Sequence, residues 1–239
     1  MALLSVENVT RRFGGVVAVE DVSLAVDPGG IAGLIGPNGA GKTTLFNLIT
    51  GLYRPDSGRI VFDGESLLRT PPYRVIGRGI ARTFQNVELF GSMTVRENVL
   101  VGMHARHGGN VDEVLDHVGL VEVAHAPVAW LPFGTQKRVE LARALAAAPR
   151  LLLLDEPAGG LNHEEVEELG SLIGRIRNTY DLTILLVEHH MNLVMGIADR
   201  VHVLDFGRKI AEGTPAEVQA NPAVIEAYLG SEHPQHAPA

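Results

Sequence analysis

The sequence predicts an α/β fold, and three observations carry the prediction. Short apolar runs, "IAGLIG", "LLLLD", "TILLV" and "RVHVLD", are separated by stretches of helical periodicity. Buried parallel strands covered by helices have this pattern. A glycine-rich loop, "GPNGAGKTT", lies between one of these runs and a helix candidate. An acidic pair, Asp155–Glu156, closes another run. The opening third adds β structure of a different kind. "VVAVEDVSLAV" alternates and stops at "DPGG", as a half-buried strand does before a turn.

The helices follow from local chemistry. "KTTLFNLIT" reads as a helix stopped at Gly51, a natural C-terminal glycine. "TVRENVLVGM" reads as a helix whose Thr94 and Glu97 have capping-box spacing. A helical interlude from about Ser92 to Trp130 interrupts the strand rhythm. With the helix after it, this makes a helical subdomain over about residues 92–145. The two histidines of "HARH" (104–107) read as a solvated helix end.

Composition narrows the function. The 239 residues, 46% hydrophobic, suffice for one domain with a subdomain. Residues 1–230 read as that single domain, and the polar "SEHPQHAPA" (231–239) as a flexible tail. No internal repeat is visible. A net charge of −8 argues against nucleic acid as a partner. The absence of cysteine excludes disulfides, thiolate catalysis and cysteine-ligated zinc. The opening "MALLSVENVTRRF" has a very short apolar run broken by Glu7 and does not read as a signal peptide. No stretch of about 18 apolar residues occurs, so any membrane role is expected to come through a partner.

"GPNGAGKTT" fits G-x-x-x-x-G-K-[ST] through Gly36, Gly41, Lys42 and Thr43, with Asn38, Gly39, Ala40 and Thr44 completing the loop. Its glycines let backbone N–H groups close around phosphate oxygens. Lys42 is expected at the β- and γ-phosphates, and the Thr43 hydroxyl on Mg²⁺. The helix beginning near Lys42 points its positive end at the anion. Alone, the loop leaves kinases, G proteins and recombinases open. Asp155 and Glu156 emerge at the C-terminal end of a strand, where open α/β sheets bind ligands. Asp155 is expected to hold Mg²⁺, through water, and Glu156 to act as general base for an attacking water.

From Glu156 outward, nearly the whole chain resembles the ATP-binding cassette (ABC) family of P-loop NTPases. The resemblance implies an α/β core with an antiparallel β subdomain and a short helical subdomain. "TRRFGG" puts Phe13 where the family has an aromatic that stacks on adenine. "RTFQN" puts Gln85 at the glutamine loop, which touches Mg²⁺ and senses membrane subunits. "LLVEHHM" puts His189 at the switch histidine, with a contact to the γ-phosphate and to Glu156 implied. Its neighbour His190 is expected to point a different way, which argues against a two-histidine metal site. "AGGLN" puts Leu161 and Asn162 at a loop that crosses to the partner subunit, where the family usually has aspartate second.

The stretch "LPFGTQKRVELARAL" (131–145) stands at the family's signature loop, L-S-G-G-Q, of which Leu131 and Gly134 match. Proline replaces the serine and lacks an N–H. Gly134 still permits close backbone approach, and a helix N-terminus attracts phosphate without a side chain. Gly134, Thr135 and Gln136 are therefore expected to clamp the nucleotide of the opposite subunit. A single copy each of phosphate loop and signature loop implies a dimer around two ATP molecules.

Within the family, "GIARTFQNVELFGSMTVRENVLVG", "VEHHMNLVMGIADRVHVLDFGRKIAEGTPAEV" and "NPAVIEAYLG" are similar to the ATPase of branched-chain amino acid importers. Relatives of that branch usually carry a longer helical insert than this chain. Amide and urea importers share much of this text. An ABC ATPase of translation or repair would carry two cassettes or long coiled coils. A phosphoryl-transfer enzyme would need a lid and an acceptor pocket. The branch implies ATP and Mg²⁺ as cofactors, permease subunits and a second ATPase as partners, and a periplasmic or lipid-anchored binding protein acting indirectly. It places the chain at the cytoplasmic face of the cell membrane.

Overall fold

A computed structural model describes residues 2–104 and 110–230. In chain order its elements are β1 (Leu4–Phe13), β2 (Val16–Val26), β3 (Ile31–Ile35), α1 (Lys42–Ile49), β4 (Ser57–Phe62), β5 (Glu65–Ser66), α2 (Pro72–Val75), β6 (Ile80–Arg82), α3 (Val95–Met103), α4 (Val111–His117), α5 (Phe133–Leu145), β7 (Leu151–Asp155), α6 (His163–Tyr180), β8 (Thr183–Val187), α7 (Met191–Ile197), β9 (Arg200–Asp205), β10 (Arg208–Gly213), α8 (Pro215–Gln219) and α9 (Pro222–Gly230). Residues 105–107 of "HARH" and the tail from 231 lie outside the described residues.

Two sheets form. An antiparallel sheet has the order β2-β1-β4-β5. A six-stranded sheet has the order β10-β9-β3-β8-β7-β6, parallel except for the edge strand β10. The four apolar runs singled out in the sequence are β3, β7, β8 and β9. Along β7, Leu151 and Leu153 enter one core and Leu152 and Leu154 the other. A strand buried on both faces cannot alternate, which is why these segments read as continuous runs. One core holds α1, with Phe46 and Leu45 fully buried, between the two sheets. The other holds α3 to α7 against the opposite face. Burying one such leucine is worth about 2 kcal/mol.

β1 escapes a period-2 reading because its register shifts between Val6 and Val9, at Asn8 with φ +49°. The helix stop at Gly51 is preceded by the end of α1 at Ile49. Thr94 caps α3 and forms the capping box with Glu97. No helix among the described residues is long and apolar enough to cross a membrane.

His202, in the middle of β9, is fully buried, with Nδ1 3.4 Å from Glu212 Oε2. Burial lowers its pKa, against the opposing pull of the Glu212 charge. The folded chain therefore favours neutral imidazole over the unfolded chain. Stability falls as the pH drops below the ordinary histidine value of about 6.5, and is unaffected above it. Replacing His202→Leu should remove that component. The difference in melting temperature between variant and parent should shift in the variant's favour from pH 7 to pH 5, as read by thermal denaturation.

Candidate nucleotide site

β3 delivers the phosphate loop and α1 takes it up again at Lys42. Two close approaches require glycine. At Gly36 (φ +149°) a Cβ would overlap the Leu204 carbonyl of β9, and at Gly41 (φ +98°) the Ala18 carbonyl of β2. The loop is thus wedged between strands of both sheets. The Lys42 ammonium, 6% exposed, donates to the Gly36 carbonyl at 2.7 Å and the Pro37 carbonyl at 3.0 Å. Burial lowers its pKa, and the negative charges of Glu156 and Asp155 oppose that. Tyr228 of α9 reaches the same loop at Gly36, and burial pushes its pKa up to about 12. A cleft of about 540 Å³ opens over the loop from Asn38 to Thr44, walled by Val16 to Ala18, Gln85, Glu156 and Phe206.

Asp155, 3% exposed, ends β7 and pairs with Arg82 of β6 at 2.6 Å. Arg82 also donates to Asn47 of α1 at 2.7 Å. The guanidinium engages only Oδ2 of Asp155. Glu156 has φ +46°, and its N–H bonds the Val187 carbonyl of β8 at 2.9 Å. This aims its carboxylate at the cleft. Gln85 Nε2 donates to Glu156 Oε2 at 2.8 Å, and His189 Nδ1 lies 3.7 Å from the same oxygen. Three residues distant in sequence meet at one atom.

The expectation that His189 and His190 point apart is corrected. Their ring centroids are 4.6 Å apart at 36°. Glu188 and both histidines offer ligand atoms within 4.8 Å of one another. The physical reason is that β8 ends at Val187 and His190 already stands at the N-cap of α7. Strand alternation does not operate there. Glu188, fully buried, is committed to backbone, accepting from Ala158 N–H at 2.7 Å, His189 N–H at 3.1 Å and His190 N–H at 3.2 Å.

Pro132 occupies the N-cap of α5, so Gly134, Thr135 and Gln136 form its first turn. Gln136 Nε2 donates back to the Leu131 carbonyl at 2.9 Å. Gly134 faces the Glu165 carboxylate. Gly134 and Thr135 line a separate cleft of about 150 Å³ rather than the one holding Lys42. Asn162 caps α6, in a capping box with Glu165. Asparagine performs that job as well as aspartate. Phe13 stands outside the lining of the phosphate cleft. It packs edge-on against Tyr53 at 5.0 Å, under the Arg11 guanidinium at 4.6 Å.

The family model described as "ABC transporter" matches residues 19–159. The chain belongs to the ABC transporter family. A second model, "Branched-chain amino acid ATP-binding cassette transporter", matches residues 208–234 of this cassette. The chain is 42% identical to the high-affinity branched-chain amino acid transport ATP-binding protein BraF of Pseudomonas aeruginosa, and 44% identical to LivG, with the same description, of Escherichia coli K12. In both cases 95% of this chain and 98% of the relative are covered. Those alignments run over 249 positions, so each relative carries residues that this chain of 239 lacks. The ADP conformation of MJ1267, an ATP-binding cassette of an ABC transporter, superposes with a TM-score of 0.88 at 30% identity, covering 96% of this chain and 99% of that one. A nucleotide-free cassette superposes at 0.87 and 29%, covering 95% and 99%.

Several residues that shape the cassette's site were missed in the sequence. One face of α5 grips the Gln85 loop. Lys137 donates to the Gln85 carbonyl at 2.8 Å, Glu140 accepts from Phe84 N–H at 3.0 Å, and Arg143 donates to the Glu88 carbonyl at 2.6 Å. Burial lowers the Lys137 pKa and raises that of Glu140. The signal was the three-residue spacing of charged side chains on a helix that should have been solvated there. Arg82, Glu188 and Tyr228 gave no signal, because their partners are backbone groups or distant side chains. Exchanging Glu188→Gln puts an amide donor among three donors. It should cost about 3 kcal/mol of stability, read by denaturant unfolding, with a parallel loss of ATPase activity.

Proposed function

We propose that the chain is the ATP-hydrolysing subunit of an importer for branched-chain amino acids. As an ABC transporter ATP-binding domain it binds nucleotide and acts as an ATPase. The observation that carries the mechanism is the convergence of Gln85 and His189 on Glu156 Oε2, at the mouth of the phosphate loop.

In this reading the loop Gly36–Thr44 cradles the phosphates with backbone N–H groups, and Lys42 turns its ammonium from the Gly36 and Pro37 carbonyls to the β- and γ-phosphates. Two features support the fit: the glycine-only backbone that closes the loop, and a buried lysine held over it. Phe13 offers an aromatic face for the adenine at the outer rim. Glu156 accepts the proton of the water that attacks the terminal phosphorus. Gln85 and His189 orient the carboxylate and that water, and the N-terminus of α1 offsets the charge left as the bridging P–O bond breaks. Mg²⁺, when bound, would neutralise phosphate charge. Thr43, Gln85 and the Asp155 oxygen not engaged by Arg82 would hold it, Asp155 through water.

Gly134, Thr135 and Gln136 lie away from their own phosphate loop, so they serve a nucleotide on a second subunit. The assembly is a dimer of cassettes, with itself or a sister ATPase, beneath permease subunits at the cytoplasmic face of the membrane. A binding protein outside delivers the solute. The resemblance of the full chain to BraF and LivG supports the choice of solute.

Exchanging Glu156→Gln should lower turnover by about 10²–10⁴ while retaining MgATP binding. Single-turnover kinetics that match the parent would remove Glu156 from the base role. Gly134→Asp places a second carboxylate beside Glu165 and should abolish cooperative ATPase activity. Intact turnover there would end the clamp assignment. Purified from native membranes with MgATP, tagged Glu156→Gln chain should bring down a polytopic permease and a second ATPase. Recovery of a soluble homodimer alone would refute the transport reading.

A further inference from the structure

The turn between β9 and β10 is an unusual place for phenylalanine. Asp205 pairs with Arg208, leaving Phe206 and Gly207 as a two-residue loop with φ of +40° and +79°. Two successive positive φ values are the geometry of a type I′ hairpin, which favours Asn-Gly, Asp-Gly or Gly-Gly. A bulky side chain at positive φ is strained. Phe206 is also 86% exposed, so core packing within the chain does not offset that strain.

The turn is held rigidly at the phosphate cleft. Gly207 N–H donates to the Ala40 carbonyl at 3.1 Å, and the Gly207 carbonyl accepts from Glu20 N–H at 2.8 Å. Arg208 pairs with Glu20 at 2.9 Å. These contacts fix the loop against both the phosphate loop and β2. Phe206 lines the cleft that holds Lys42, Thr43 and Glu156, together with Val16, which is 68% exposed. Among the described residues it is the one aromatic side chain lining that cleft. Phe13 lies outside that lining, at the outer rim against Tyr53 and Arg11, so Phe206 would meet the base from a second side.

We propose that Phe206 is a nucleotide-binding residue, its ring contacting the base of the purine nucleotide whose phosphates the loop Gly36–Thr44 holds. The inference rests on reading this cleft as the nucleotide site. A rigid, strained turn that presents an exposed ring to a cleft suits a flat heterocycle, which has a π-face whatever its substituents. The contact is selective for the base and indifferent to the phosphates.

Two probes separate these parts: MgATP, which carries a base, and inorganic tripolyphosphate, which does not. Phe206→Asn supplies the residue the turn prefers, so the chain folds and its melting temperature holds or rises. Calorimetric titration should show MgATP bound about tenfold more weakly by Phe206→Asn, tripolyphosphate unchanged, and Phe206→Trp close to the parent for both. MgATP affinity unchanged in Phe206→Asn overturns the proposal, including the case in which the variant instead loses a partner subunit. Equal weakening of both probes also overturns it, since the ring would then be shaping the phosphate loop. Lys42→Ala tests the underlying reading. If it keeps both affinities, the nucleotide site itself is misplaced; if it loses both while Phe206→Asn is silent, only the role of Phe206 falls.

Discussion

A buried carboxylate bonded to backbone N–H groups holds the loops after β7 and β8 of this cassette together. Glu188 accepts N–H groups from Ala158, His189 and His190. Ala158 follows Glu156 on the loop after β7, and Glu188 itself begins the loop after β8, next to His189. One side chain therefore fixes the spacing between two adjacent strand ends, and with it the distance from His189 to Glu156. Three backbone N–H groups satisfy the buried carboxylate, and His189 Nδ1 lies 4.0 Å from it. The convergence on Glu156 is a consequence of that anchor as much as of the converging side chains themselves.

The helix α5 plays the complementary part at the other end. Its first turn presents Gly134 and Thr135 outward, to the cleft beside Glu165. Its inner face holds the backbone of the Gln85 loop through Lys137, Glu140 and Arg143. A rigid helix thus carries, at one end, the turn proposed to serve a second subunit and, along its side, a grip on the Gln85 loop. Three polar contacts tie the helix to that loop, two of them made by groups whose burial makes detachment costly.

The core strands were legible because burial on both faces leaves an unbroken apolar run, as in "LLLLD". The phosphate loop was legible because it needs glycine, lysine and threonine at fixed spacing. The capping box at Thr94 was legible because both partners are local. What stayed hidden was non-local. Arg82 reads as an ordinary cation until β6 is laid beside β7 and meets Asp155. β1 hides behind its bulge at Asn8. The relation of His189 to His190 was misread because the strand ends one residue before Glu188, a boundary that periodicity does not resolve. The tight packing of Phe13 on Tyr53 depends on a turn that follows α1 and could not be inferred from "TRRFGG".

The order of strands has a consequence for biosynthesis. β3, which presents the phosphate loop, lies between β8 and β9, and Gly36 is closed in by Leu204 and Tyr228. The loop's own sequence is complete once Thr44 has been made, yet the carbonyl that closes in on Gly36 belongs to Leu204 of β9. A nascent chain therefore carries the loop without that wall until β9 has been made. A product truncated before β9 would hold the loop's residues without the strand that shapes them.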